Sequence, residues 1–163
     1  MKLPTKNSYL TTALILSAAV TTGYLPVSLA NPCSTMTLTV QNRSYVTLKR
    51  THENVKDGTI VDLGAVELNG YNGNTIIKIT DEPLHGVTMS ATYEGKSPYG
   101  PLSITINAAE NPCYFKIGAL DPYPSATSNL KNYAIQVSVT PGSYSKKIPN
   151  KVEYTIYETV PSK

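Results

Sequence analysis

The chain has 163 residues, 14 Lys and Arg against 11 Asp and Glu, and a formal net charge of +3. That length fits one domain with a single core. The near balance of charge excludes the clustered basic footprint that nucleic-acid binding needs.

The first element is a secretory signal peptide over residues 1–30. Lys2 and Lys6 form a positive start, an uncharged apolar run extends over Leu10–Val20, and Gly23 and Pro26 break it. Ser28 and Ala30 then place small residues at the −3 and −1 positions of a cleavage site. The apolar run is too short for a spanning helix, which needs about 20 apolar residues. The expected product is therefore residues 31–163, secreted or periplasmic, with no transmembrane segment. Loss of the two leader lysines leaves 12 basic residues against 11 acids, so the high overall pI belongs mostly to the precursor.

Both cysteines, Cys33 and Cys113, fall after the leader, each preceded by Asn-Pro. An even cysteine count in an exported chain points to a disulfide. It would close a loop of about 80 residues and contribute roughly 4 kcal/mol by loss of unfolded-chain entropy. A redox or metal role would need a Cys-x-x-Cys or a neighbouring His, and neither is present.

From Thr35 onward the chain alternates apolar and polar residues at period two, the mark of half-buried strands. Met36, Leu38 and Val40 share one face, with threonines opposite. The same alternation runs over Val87–Tyr93, Leu102–Ile106, Phe115–Ala119, Ile135–Val139 and Val152–Ile156. Shorter candidates are Tyr45–Leu48, Thr59–Leu68 and Thr75–Thr80. Gly- and Pro-containing turns separate them at short intervals, and no segment sustains a helical period. The pattern predicts one antiparallel β-sandwich of eight or nine short strands.

Chemistry is sparse. His52 and His85 lie in no catalytic motif and there is no Gly-x-Ser-x-Gly elbow, so no catalytic residue is assigned. Asp81, Glu82 and His85 share a loop without a ligand spacing that defines a metal site, and no cofactor is implied. Asn42-Arg43-Ser44 fits the glycosylation sequon, which matters only in a eukaryotic host.

The aromatic inventory is unusual: twelve Tyr, one Phe and no Trp, with ten tyrosines remaining after the leader. Tyr71, Tyr99, Tyr123 and Tyr144 sit in turn-rich segments, whereas Tyr45, Tyr93, Tyr133, Tyr154 and Tyr157 read as strand residues that pair across a sheet. If Tyr71, Tyr99 and Tyr123 gather at one end of the sandwich, they present three rings beside Asn69, Asn72 and Asn74. Rings next to amides suit a glycan, a lipid surface or a protein. The alternative for each ring is that it folds over its own prolines and seals the core.

In outline the exported β-sandwich resembles chaperone-usher pilins, small adhesins and aegerolysin-type membrane-binding toxins. Its motifs differ from theirs. Pilins pair cysteines at closer spacing and carry a tyrosine second from the end, where this chain ends Val160–Lys163. Aegerolysin-type loops are tryptophan-rich, and this chain has no Trp. No family residue transfers to a position here. The expected function is a non-enzymatic exported binding or interaction domain using Tyr71, Tyr99, Tyr123, Asn72 and Asn74. A structural subunit of a surface assembly is the alternative, and a small secreted hydrolase or toxin is the third.

Mass spectrometry of the exported, non-reduced protein should find an N-terminus at Asn31 and a peptide pair joined through Cys33 and Cys113. A membrane-bound chain starting at Met1, or two freely alkylated thiols, would contradict this reading.

Overall fold

The structure, a computed structural model, describes residues 35–80, 86–110, 122–143 and 148–159, and every regular element among them is a strand. The leader, both cysteines, the 81–85 loop and the 115–119 strand lie outside the described residues.

Ten strands are present: β1 (Thr35–Asn42), β2 (Leu48–Asp57), β3 (Thr59–Asp62), β4 (Glu67–Leu68), β5 (Gly73–Thr80), β6 (Val87–Ser97), β7 (Gly100–Glu110), β8 (Pro122–Ser128), β9 (Tyr133–Thr140) and β10 (Asn150–Glu158). They form two five-stranded sheets, ordered β3-β5-β1-β10-β9 and β4-β2-β6-β7-β8. The ten strands among the described residues exceed the eight or nine expected. The pairing is also not wholly antiparallel, because β1 and β10 run parallel, Leu38 opposite Val152.

The strands with clean alternation in sequence alternate in burial as well. Met36, Leu38, Val40 and Asn42 of β1 point inward, as do Val87, Met89, Ala91 and Tyr93 of β6. With Ile77, Ile79, Val152, Tyr154, Ile156, Leu102, Ile104 and Ile106 they fill one core between the sheets. Each fully buried large apolar side chain contributes about 1.5–3 kcal/mol. Tyr154 crosses this core, its hydroxyl donating to the Asn107 carbonyl of the opposite sheet at 2.5 Å.

Three expectations change. Thr59–Leu68 is not one strand: its ends become β3 and β4, which lie in different sheets. The segment between them crosses over at Gly64, whose φ of +60° favours glycine. Arg50 holds the crossing, its amide donating to the Val66 carbonyl at 2.8 Å and its guanidinium to the Leu63 carbonyl at 2.5 Å. Tyr45–Leu48 is a loop up to Leu48, where β2 begins. Finally, β2 and β8 form without a hydrophobic alternation. β2 carries two register shifts beside β6 and exposes most of its side chains. β8 is an edge strand with Pro122 and Pro124, at a position where a missing N–H is tolerated.

Register fixes which loops share an end. Asn42 pairs with Gly73 and Ile156, Leu48 with Leu68, Ser97 with Gly100 and Glu158 with Tyr133. Loops 43–47, 69–72, 98–99 and 129–132 therefore gather at one end. Tyr123 pairs with Ala109 toward the other end.

Burial raises the Tyr154 phenol above its ordinary value, and it raises Tyr93 too, with the Arg50 guanidinium opposing. A raised folded pKa adds stability that is complete below the unfolded value of 10.0 and is lost as pH climbs past it. Denaturant midpoints should therefore be insensitive to these phenols up to about pH 10 and fall above it. In Tyr154→Phe the alkaline fall should be shallower, with neutral-pH stability lower by about 1 kcal/mol. An unchanged alkaline slope in that variant would contradict the assignment.

Candidate binding surface at the tyrosine-bearing end

The end is organised around Asn42, the last residue of β1, which is fully buried. Its side-chain amide donates to the carbonyls of Val46 at 2.7 Å, Leu68 at 3.1 Å and Asn69 at 3.1 Å. Its carbonyl accepts from the Ser44 amide at 3.1 Å and the Ser44 hydroxyl at 2.7 Å. One amide thus ties the 43–47 loop to the 69–72 turn. With both hydrogens of this buried nitrogen shared among these carbonyls, Asn42 has no role as a glycan acceptor in the folded chain, and the sequon reading falls away.

The two loops also bond directly. The Tyr71 amide donates to the Ser44 carbonyl at 2.7 Å, and Gly73 closes the turn onto the Asn69 carbonyl at 2.9 Å. Gly70 passes so close to the Tyr45 carbonyl that an added Cβ would lie 2.6 Å from it, which requires glycine there. Tyr71 has φ of +68°, in the left-handed region that tyrosine rarely adopts. Such strain persists only where the surroundings over-determine it, and here the hydrogen bonds on either side of Tyr71 do so.

The result is a presented aromatic pair. The Tyr45 and Tyr71 rings meet edge-to-face with centroids 4.3 Å apart, and they remain 64% and 52% exposed. Arg43 lies beside them, its guanidinium donating to Gln41 Oε1 at 3.1 Å and Asn72 Oδ1 at 3.4 Å. Gln41 in turn donates to Glu153 at 2.6 Å. Asn74 pairs with Gln41 in register on the outer face of the same sheet. On another part of this end, Tyr99 at the β6–β7 turn stacks edge-on against the buried Tyr133, centroids 6.3 Å apart. The Glu158 carboxylate beside it holds the Tyr99 phenol above its ordinary value. The exposed Lys96 and Lys131 flank this part.

Of the expected site residues, Tyr71, Asn72, Asn74 and Tyr99 fall at this end. Tyr123 does not: it is exposed at the opposite end, so the three-ring cluster does not form. Tyr45, read in the sequence as a strand residue, takes the third place. Arg43 was also missed, since nothing in the sequence brings 43 next to 72. His52 lies on the outer face of the other sheet, 3.0 Å from the Thr51 hydroxyl. Among the described residues no group of three or more His, Cys, Asp or Glu is placed to hold a metal ion, and no helix is long and apolar enough to cross a membrane.

No protein-family model matches the chain, and no curated protein matches it. Solved structures do. The crystal structure of RahU protein in complex with a Tris molecule is similar over 80% of this chain and 98% of RahU, with a TM-score of 0.54 and 10% identity. The crystal structure of the lipid binding protein Nakanori covers 76% of this chain and 70% of its own, with a TM-score of 0.49 and 8% identity. The chain is a two-sheet, all-β domain, and at these identities its likeness to RahU is one of fold.

Asn42→Ala should lower stability by about 2–4 kcal/mol, because the buried carbonyls of Val46 and Leu68 lose the Asn42 donor. Asn72→Ala, at an exposed position, should stay within about 0.5 kcal/mol of the parent. Urea melts of the two variants measure the contrast, and equal stabilities would remove Asn42 from its central place.

Proposed function

We propose that the protein is an exported, non-enzymatic binding domain that docks its tyrosine-bearing end onto a lipid headgroup surface. The observation that carries this reading is the Tyr45–Tyr71 pair, held outward by a hydrogen-bonded loop frame. Tyrosine has an apolar ring and a polar tip, which suits the boundary between headgroups and acyl chains. Large apolar rings are normally withdrawn from water, so exposed rings gathered at one end and framed by polar loops mark an interaction surface. The exposed cations Arg43, Lys96 and Lys131 add attraction to phosphate-bearing headgroups.

Rigidity strengthens the case. A surface whose loops are already fixed gives up little conformational entropy on docking. Among the described residues this end presents phenols, amides, the Arg43 guanidinium and the Lys96 and Lys131 ammonium groups, with the Glu158 carboxylate beside Tyr99. The leader over residues 1–30 would deliver the domain to the periplasm or the exterior, where membrane surfaces are accessible to it.

Co-sedimentation of the exported protein with phosphatidylcholine vesicles, with and without phosphatidylserine, tests the reading. Binding should fall by roughly tenfold in Tyr45→Ala, an effect of about 1.4 kcal/mol. Tyr71→Asn, which keeps a residue that tolerates positive φ, should weaken binding similarly with little loss of stability. A parent protein that ignores vesicles, or a double variant that binds as the parent does, would overturn the proposal.

A further inference from the structure

The tyrosine that the fold separates from the others borders a second feature. On the outer face of the β4-β2-β6-β7-β8 sheet, Asn54 and Lys56 of β2, Thr88 and Ser90 of β6, and Asn107 and Ala109 of β7 line an open groove of about 180 Å³. The register explains it. Ser90 sits opposite Asn107, and Thr88 opposite Ala109. Short side chains on the two middle strands leave a floor, and longer ones on β2 form one wall. On β8, Tyr123 lies directly across from Ala109 and Ser125 across from Asn107. Side chains directly opposite in an antiparallel pair have Cβ atoms about 4.5–5.5 Å apart. Tyr123, 56% exposed, is thus the register neighbour of the lining residue Ala109, one strand beyond the lining itself.

We infer that this groove is a saccharide-binding site, separate from the tyrosine-bearing end. Among the described residues its polar lining is two amides, two hydroxyls and one ammonium, set over a mostly apolar floor that includes Met89 and Ala108. That set donates and accepts in the mixed way sugar hydroxyls require. The Asn107 amide gives one hydrogen bond to the Ser125 hydroxyl at 3.3 Å, a fraction of its capacity, and that bond fixes its orientation. Beneath it, the Tyr154 hydroxyl binds the Asn107 carbonyl from the core side and steadies the strand under the groove. Tyr123 supplies the flat apolar face against which the C–H side of a pyranose stacks. Three inter-strand spacings separate β2 from β8, roughly 14 Å, which suits a short oligosaccharide rather than a single small ion. Among the described residues Lys56 is the one cation in the lining, too few for a phosphate chain or nucleic acid.

The test is isothermal titration of the exported protein with neutral oligosaccharides of the glucose, mannose, galactose and N-acetylglucosamine series. At least one should bind, and Tyr123→Ala and Asn54→Ala should each weaken it by roughly tenfold. Asn54 is exposed, so the melting temperature of Asn54→Ala should hold, and vesicle binding should be unchanged in both variants. The loop variant Tyr45→Ala should leave saccharide binding intact, which separates failure of this site from failure of the lipid reading. If a folded protein binds none of these sugars, or binds one equally well in both groove variants, the groove is not a saccharide site. Loss of sugar binding in Tyr45→Ala with the groove variants unaffected would place the ligand at the other end and overturn the inference.

Discussion

The buried amide of Asn42 is the contact on which the upper end of this domain depends. It ends β1, the central strand of its sheet, at the point where the chain leaves that sheet for the other. A carbonyl buried without a donor costs about 1–3 kcal/mol, and here the carbonyls of Val46, Leu68 and Asn69 all turn to the same side chain. The Asn69 carbonyl also accepts from the Gly73 amide, at 2.9 Å. The amide therefore closes the end of the sandwich and, in doing so, fixes the relative position of two loops distant in sequence. The strained backbone of Tyr71 and the close pass of Gly70 over Tyr45 both follow from that closure.

A similar economy operates at the crossing between β3 and β4. The side chain of Arg50 is nearly buried, and it spends its donors on the Leu63 carbonyl and on Glu53, 3.2 Å away. A buried guanidinium is tolerable only when its donors are satisfied, and the crossing segment satisfies them. The two sheets thus share a hydrophobic centre and are tied at one edge by polar side chains. Their outer faces are mostly polar, with Ile76 and Tyr157 exposed among the polar side chains; one end presents phenol rings, and one sheet face forms a groove edged by hydroxyls and amides over an apolar floor.

Much of this was legible in the sequence where burial is periodic. β1, β5, β6, β7, β9 and β10 coincide with segments of apolar alternation, because one face of each meets the core. β2 was not legible: past Arg50 its side chains are mostly exposed, and two register shifts break any period. β8 was hidden by Pro122 and Pro124, which read as turn residues but fit an edge. That misreading also explains Tyr123. Taken as a turn residue, it was free to join either end; as a strand residue opposite Ala109, it is fixed far from Tyr71. Tyr45 was missed for the converse reason. Its segment looks like a strand, and only the Asn42 hydrogen bonds, invisible in one dimension, make it a loop.

Hydrogen–deuterium exchange of the exported protein with and without phosphatidylcholine–phosphatidylserine vesicles tests the central claim most directly. Docking through the tyrosine-bearing end predicts added protection in residues 43–47, 69–72 and 98–99, with none in 122–128. Protection confined to 122–128 or to a sheet face, with the three loops unchanged, would contradict the account.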